Sequence, residues 1–515
     1  MKRLFIVLIL LTAGMTCLQA QSFEEYKKKR EAEYNAYKNK KESDFEAYRS
    51  RVNAAFAEYM RKYWVWLDSK DPMTNPEDNV PDVKPVVLPD LGEYEIPEDN
   101  ELSFDEIVPI PFDDPEPISV APIEYKPKPA EKKVQFRFYG SLCSVRFDPA
   151  KKVVLAGCRE NAVADMWGAL SSDDYNNLLY DTQELRKSMR LCDWAYLKLT
   201  GAVADAVYGK GTNEAVVLRA FLMNQSGFRI RMGRSGNDDL HLLIATADDM
   251  YNRTYWEMDG SRYYLAENVK VSGLYLFDTK FPNEQSLRLS VSKEQNFAKK
   301  NTPVRTLRAK RNKDLAVTSS VNENALSFYE DYPASYVRNN KFSQWYHFAN
   351  APISEDVKKQ IYPYLKSAIA GKTQAQAANV LIDFVQTAFE YKTDDEAWGY
   401  ERTFFPEETL YYPYCDCEDR AILFSRLVRD LLGLEVVLLY YPGHLATAVC
   451  FNEEVTGDYI MLSGKKYLVC DPTFIGATIG MTMVGMDNGQ ARILIADHFF
   501  IQDGVQFLLK RVAAV

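Results

Sequence analysis

The chain holds eight cysteines but only four histidines among 515 residues, and three positions near its end could do nucleophilic chemistry together. Cys417 stands in "YCDCED", His444 opens "HLATAVCF" after the turn "YPG", and Asp471 closes "KKYLVCD" just before Pro472. A cysteine nucleophile needs its thiolate, a base to take the proton, and a group that holds the base in one tautomer. These residues supply all three in the order nucleophile, base, orienting carboxylate. Each also has a plainer role when taken alone. A cysteine at a helix start is more often a small buried hydrophobe, a lone histidine is commonly structural, and Asp-Pro-Thr usually marks the end of a strand.

The surrounding residues say what must position them. Asp416 suits a helix N-cap, Asp419 three residues on resembles a capping box, and Gly433 suits the left-handed position that ends a helix. Cys417 therefore belongs in a first helical turn. There the helix dipole favours a thiolate while Glu418 and Asp419 oppose it, so a strong fall in pKa needs a cationic partner. His444 is the candidate. If the strands beginning at His444 and ending at Asp471 pair, the carboxylate can orient the imidazole while its other nitrogen faces Cys417.

The segments "FPEETLYYPYCDCEDRAILFSRLVRDLLGL", "GH" and "YLVCDPTF", in that order, resemble the transglutaminase-like superfamily. The likeness runs from about Asn379 to Phe474. It implies an α+β, papain-like fold, a central helix packed on an antiparallel sheet, with Cys417, His444 and Asp471 as the catalytic residues. It further implies attack of Cys417 on an amide carbonyl and a thioester resolved by water, as in a peptidase or amidase, or by an amine, as in a cross-linker. A protein or peptide substrate follows, a cell-wall peptide among the candidates. No cofactor is implied. The backbone N–H of Cys417 is one expected oxyanion donor; Trp398 and Tyr414 are candidates for the second. Cys415 stands where the family often has Gly, and Ala446 where many members carry Trp.

Other uses of the cysteines are weaker. Cys415 and Cys417 lack a second ligand pair at zinc-site spacing, so no metal site is expected. Strand alternation puts Cys450 on the face of His444 and Cys470 opposite Asp471, which argues against a disulfide between them. Cys415 is either a resolving thiol for oxidised Cys417 or packing. Cys143 and Cys158 flank a hairpin-like stretch and are the one candidate disulfide.

Residues 1–20 read as a secretory signal, a basic start followed by "LFIVLILLTAGM", so export to a periplasm or cell surface is expected. Residues 21–68 form a charged helix whose aromatic pairs, Phe23/Tyr26, Tyr34/Tyr37, Phe45/Tyr48 and Phe56/Tyr59, recur every eleven residues. That period keeps the rings on one nearly axial stripe, fit for docking on the body or oligomerising. Residues 69–133 hold 13 of 23 prolines and read as a linker whose apolar islands lie extended on a surface. Then come an α+β unit at 134–292, a polar basic connector at 293–324 and a second α+β unit at 325–515.

The two units echo each other. "AVVLRAFLMNQSGFRIRM" and "AILFSRLVRDLLGLEVVL" each run an apolar helix into a Gly and then a strand, and each is followed by a His-headed strand and a Gly-basic-Tyr strand. An internal duplication is the expectation. Gly211 falls where Cys417 stands, with His241 and Glu267 near the positions of His444 and Asp471, so the first copy reads as degenerate. A net charge of −10 with no basic stripe excludes nucleic-acid binding, and no later segment suits a membrane span. The competing class is an inactive scaffold that binds a partner through both units.

Overall fold

The computed structural model describes residues 28–495 apart from 31, 38–39, 41–42, 63, 74–82, 89–96, 105, 109–131, 237, 278–279, 338–339 and 487–490. The expected signal segment and the Phe23/Tyr26 pair lie outside the described residues. Among those described, no helix is long and apolar enough to cross a membrane.

The architecture is mixed α+β, with helices set against two large sheets. In the first unit, β1 (Val65–Asp68), helix α1 (Asn213–Gln225) and strands β2 (Ile230–Arg234), β3 (Leu240–Ala245), β4 (Tyr255–Met258), β5 (Ser261–Leu265) and β6 (Gly273–Leu276) follow in chain order. The sheet order is β1-β6-β2-β3-β5-β4. In the second, helix α2 (Cys417–Leu432) precedes β7 (Glu435–Tyr441), β8 (His444–Cys450), β9 (Asp458–Leu462), β10 (Lys465–Cys470) and β11 (Arg492–Ile495). Here the order β9-β10-β8-β7-β11 is flanked by the short strands Asn100–Glu101 and Glu106–Val108. The order β6-β2-β3-β5-β4 repeats as β11-β7-β8-β10-β9, with every neighbour antiparallel in both. Each set of five follows a buried helix, so both units place a helix N-terminus near the ends of the same two strands.

Sequence chemistry explains why α2 starts and stops where it does. The Asp419 carboxylate accepts the backbone N–H of Asp416 at 3.4 Å and that of Phe404 at 2.8 Å, anchoring the first turn to the preceding loop. At the other end Gly433 takes φ +67 and ψ +27, and its N–H returns to Arg429, a left-handed cap that glycine enters without a Cβ penalty. Between these ends Ala421, Ile422, Leu423, Phe424, Leu427 and Val428 are buried.

The arm docks through only part of its aromatic stripe. Phe56, Met60 and Trp64 are buried, and Phe56 meets Trp167 and Phe281 at ring separations of 5.0 and 5.2 Å. Asn53 exchanges hydrogen bonds with Gln225 and Trp167. Tyr34, Tyr37 and Tyr59 remain exposed, so the stripe is not one continuous docking face. Each buried ring contributes about 2 kcal/mol, enough to seat the helix through residues 43–60. The helix expected to run to residue 68 ends early, because Val65–Asp68 joins the sheet edge beside β6 instead.

Two further expectations change. The stretch 293–324 is no mere connector: Arg305–Arg308 pairs with Ala316–Ser319, and Leu307, Leu315 and Val317 enter the core beneath Val357 and Ile361. Cys143 and Cys158 are free thiols rather than a disulfide. Cys143 faces the core from its strand, whereas Cys158 takes a hydrogen bond from Asn213 Nδ2 at 3.0 Å. Of the proline-rich segment, much of which lies outside the described residues, three short stretches lie against the second unit. Residues 83–88 cross that unit, Asn100–Glu101 joins β9, and Glu106–Val108 joins β11.

Candidate functional site

Strand register brings His444 and Asp471 together. Thr447 pairs with Cys470 across β8 and β10, so one step on Ala446 lies opposite Asp471, and His444 becomes its diagonal neighbour on the same sheet face. The bond follows: His444 Nε2 lies 2.8 Å from Asp471 Oδ2, with both residues buried. The other oxygen of Asp471 accepts the backbone N–H groups of Thr473 and Phe474 at 2.8 and 3.2 Å. Those donors fix the carboxylate, which fixes the ring. Pro442 and Gly443, the latter at φ +74, form the two-residue turn that delivers His444 to the start of β8.

Cys417 approaches from the opposite side. Leu445, Leu438 and Tyr440 share a core cluster with Cys417, Ala421 and Ile422, so α2 packs on the sheet face that those strand residues present. Alternation groups His444 instead with Ala446 and Ala448, and its ring lies 6.2 Å from that of Tyr441 at an interplanar angle of 25°. The sulfur consequently meets the strand at the backbone: Leu445 N–H donates to Cys417 Sγ at 3.4 Å, and the thiol points to Glu418 Oε2 at 3.5 Å. His444 Nδ1 is buried without a hydrogen-bond partner. Of the expected triangle, the imidazole–carboxylate side is formed and the sulfur–imidazole hydrogen bond is not.

Electrostatics hold the sulfur as a thiol. Cys417 is 0 % exposed. Burial pushes its pKa well above the usual thiol range, the Asp416 and Asp471 carboxylates add to that, and the Leu445 N–H pulls the other way. Burial dominates because a thiolate there would lose its hydration with no cation in exchange. Cys415 is buried in the second unit's core, with its pKa raised by the same cause. Trp398 and Tyr414 belong to an aromatic group with Tyr412, where the Arg402 guanidinium stacks over Trp398 at 4.4 Å.

Two features escaped the sequence. Tyr391, from the short strand Glu390–Tyr391, has its hydroxyl pKa raised by burial and then by Cys417 and Asp416, and it donates to Val83 O at 2.7 Å. Val83 belongs to a strap spanning 83–88. Its N–H reaches Gly443 O at 3.3 Å, Leu88 N–H reaches Ile475 O at 2.9 Å, and Ile475 N–H reaches Val86 O at 2.9 Å. Val83, Val86 and Leu88 pack on Phe474, Ala477 and Met483. The strap thus grips the residue before His444 and the loop after Asp471. Its apolar "VVL" is visible in the sequence, but nothing local identifies the surface that it covers.

The first unit lacks this arrangement. Glu267 pairs with Arg219, and His241 Nε2 has no partner among the described residues. Comparison with protein-family models, curated proteins and solved structures finds no match to this chain.

Proposed function

We propose that this is an exported, cysteine-dependent amide-bond enzyme of transglutaminase-like type, at rest beneath its own strap. The buried His444–Asp471 hydrogen bond, one peptide unit from the residue whose N–H holds the Cys417 sulfur, carries the reading. A carboxylate-oriented imidazole with Nδ1 unused is what a base awaiting a thiol proton requires. Once strap release lets the sulfur and the imidazole reach hydrogen-bonding distance, Cys417 attacks the carbonyl carbon of an amide, its proton passes to His444 and then to the leaving amine, and a thioester forms. Water, activated by His444, resolves it to the acid and free thiol. The substrate is a protein or peptide, a cell-wall stem peptide among the candidates; the extended segment 83–88 already bonds Gly443, beside His444, and Ile475, beyond Asp471. The repeated strand order supports a duplicated fold whose first copy has lost its nucleophile at Gly211.

Incubation of the strap-cleaved protein with a peptide library, read by mass spectrometry, tests this. New carboxyl termini and a trapped acyl adduct on Cys417 are expected, both absent in Cys417→Ala. Products without an adduct, or persisting in that variant, overturn the assignment. The second reading is an inactive scaffold, favoured by the enclosed thiol and the missing sulfur–imidazole bond. Under it no adduct forms even after strap cleavage.

A further inference from the structure

Where the helices Asn176–Ser188 and Asp193–Tyr208 meet, the first unit carries an open cleft of about 570 Å³. Its charged walls are Arg186, Lys187, Arg190, Arg288 and Lys293 against one acid, Asp193, in a chain whose acids outnumber its bases. Cations at a helix C-terminus complement its dipole, which accounts for Arg186 and Lys187. It does not account for Arg288 and Lys293, which arrive from a segment far along the chain. That segment is tied to the helix corner: the Cys192 N–H donates to Gln295 Oε1 at 2.7 Å, the Asn296 N–H to Met189 O at 2.8 Å, and the Arg288 N–H to Asp193 at 3.1 Å. Asp193 also braces the Arg186 guanidinium at 2.6 Å, which lies over the rings of Tyr196 and Phe228 at 5.0 and 5.3 Å. The lone acid therefore holds the walls in place, and Lys187 pairs with exposed Glu184. The side chains of Arg190, Ser290, Ser292 and Lys293 line the same cleft without a hydrogen-bond or ion-pair partner among the described residues. Arg190 takes φ +55 just past the helix end, where its N–H returns to Lys187 O at 3.1 Å and the Leu191 N–H to Arg186 O at 2.9 Å. Glycine enters that left-handed position without strain and arginine does not; arginine there weakens the helix end and puts a guanidinium at the cleft.

We infer that this cleft binds a phosphate or sulfate ester borne on a polar body such as a sugar, with the ester oxygens on Arg190, Arg288 and Lys293. Guanidinium forks and an ammonium group are the side chains suited to such oxyanions. Cations that converge without matching acids repel one another, and an anion between them removes that repulsion. A tetrahedral ester presents its oxygens in several directions, which suits cations on separate walls better than a planar carboxylate does. The volume falls within the range of small-molecule sites, about 300–1,000 Å³, and leaves room for a body beyond the ester group. Leu191 and Cys192 are the apolar side chains of the lining, so that body is polar, and the Ser290 and Ser292 hydroxyls are placed to meet it. The first unit, without a nucleophile at Gly211, thereby gains a binding role that does not depend on Cys417 being catalytic.

The test titrates the full chain at low salt with glucose 6-phosphate, glucose 6-sulfate and glucose by calorimetry. One ester per chain is expected, weakened by added sodium chloride, with glucose alone giving no heat of binding. Affinity that rises with pH through about 6, where a phosphate monoester gains its second charge, identifies the phosphate; affinity for the sulfate that equals or exceeds it and ignores pH identifies the sulfate. Arg190→Gly should weaken ester binding roughly tenfold, the loss of a charge-assisted hydrogen bond, while its Tm stays level or rises because glycine relieves the left-handed position. Lys293→Ser, at an exposed site, should weaken binding similarly. Lys313→Ser, an exposed lysine outside the cleft, should leave it unchanged. Esters that bind no better than glucose, affinity indifferent to both Arg190→Gly and Lys293→Ser, or an equal loss in Lys313→Ser would overturn the assignment.

Discussion

Loosening the strap should expose Cys417 in measured steps. Four hydrogen bonds hold residues 83–88, and one of them, Tyr391 Oη to Val83 O at 2.7 Å, is a side-chain bond that can be removed without altering the backbone. A net hydrogen bond contributes about 1 kcal/mol, and 1.4 kcal/mol is tenfold in an equilibrium, so Tyr391→Phe should raise the open fraction roughly fivefold. Val86 and Leu88 are half-buried against Phe474 and Met483. Replacing both with Ser removes about 1 kcal/mol each, half the usual worth of full burial. The triple variant should then open on the order of 100-fold more often. Alkylation of Cys417 by iodoacetamide, followed by peptide mass spectrometry, reads this directly when closing outpaces reaction. The reasoning fails if the triple variant labels within twofold of the parent while remaining folded by circular dichroism.

Other perturbations have defined outcomes. Gly433→Ala forces a Cβ into the left-handed cap at φ +67, where no steric neighbour intervenes; urea denaturation should show a loss of about 1 kcal/mol from the conformation alone. Arg231 is fully buried and bonds Glu284 at 2.9 Å, so Arg231→Met leaves that buried carboxylate only Arg229 at 3.6 Å and the Phe281 N–H and should cost about 3 kcal/mol in the same assay, the low end for a broken buried pair. Asp394, Glu401, Glu418 and Asp419 all have pKa values raised by burial first and then by neighbouring carboxylates. The folded state therefore retains protons that the unfolded chain has released above about pH 4. This contribution to stability is fully present below that pH and is lost as pH rises through the raised values. Tm should fall between pH 5 and pH 8, and a rise over that range would contradict the assigned directions.

Local chemistry was legible where it is self-contained. Asp419 and Gly433 announce the ends of α2 because caps depend on a few adjacent residues. The His444–Asp471 bond was also readable, since antiparallel pairing and a two-residue alternation put them on one face. The same alternation, followed through to α2, explains why Cys417 meets the Leu445 N–H rather than the imidazole; which sheet face the helix covers is a tertiary choice that the motif does not encode. The strap was hidden for a related reason, since its partners lie far away in the chain, and Glu418 in "CDCED" looks like an ordinary solvated acid until burial removes its water. At Val65–Asp68 an available sheet edge prevailed over helical periodicity, and at 305–319 a few apolar residues within a basic stretch sufficed to form a paired core element.

The proton path between Cys417 and His444 is the centre of the proposed chemistry, and it can be measured in the strap-loosened triple variant at pH 7. The second-order rate of iodoacetamide labelling at Cys417 should exceed that of the half-buried Cys158 in the same molecule, and His444→Ala should slow it at least tenfold while leaving Cys158 unchanged. A Cys417 that labels no faster than Cys158, with a rate indifferent to His444, would contradict the enzyme and leave a scaffold.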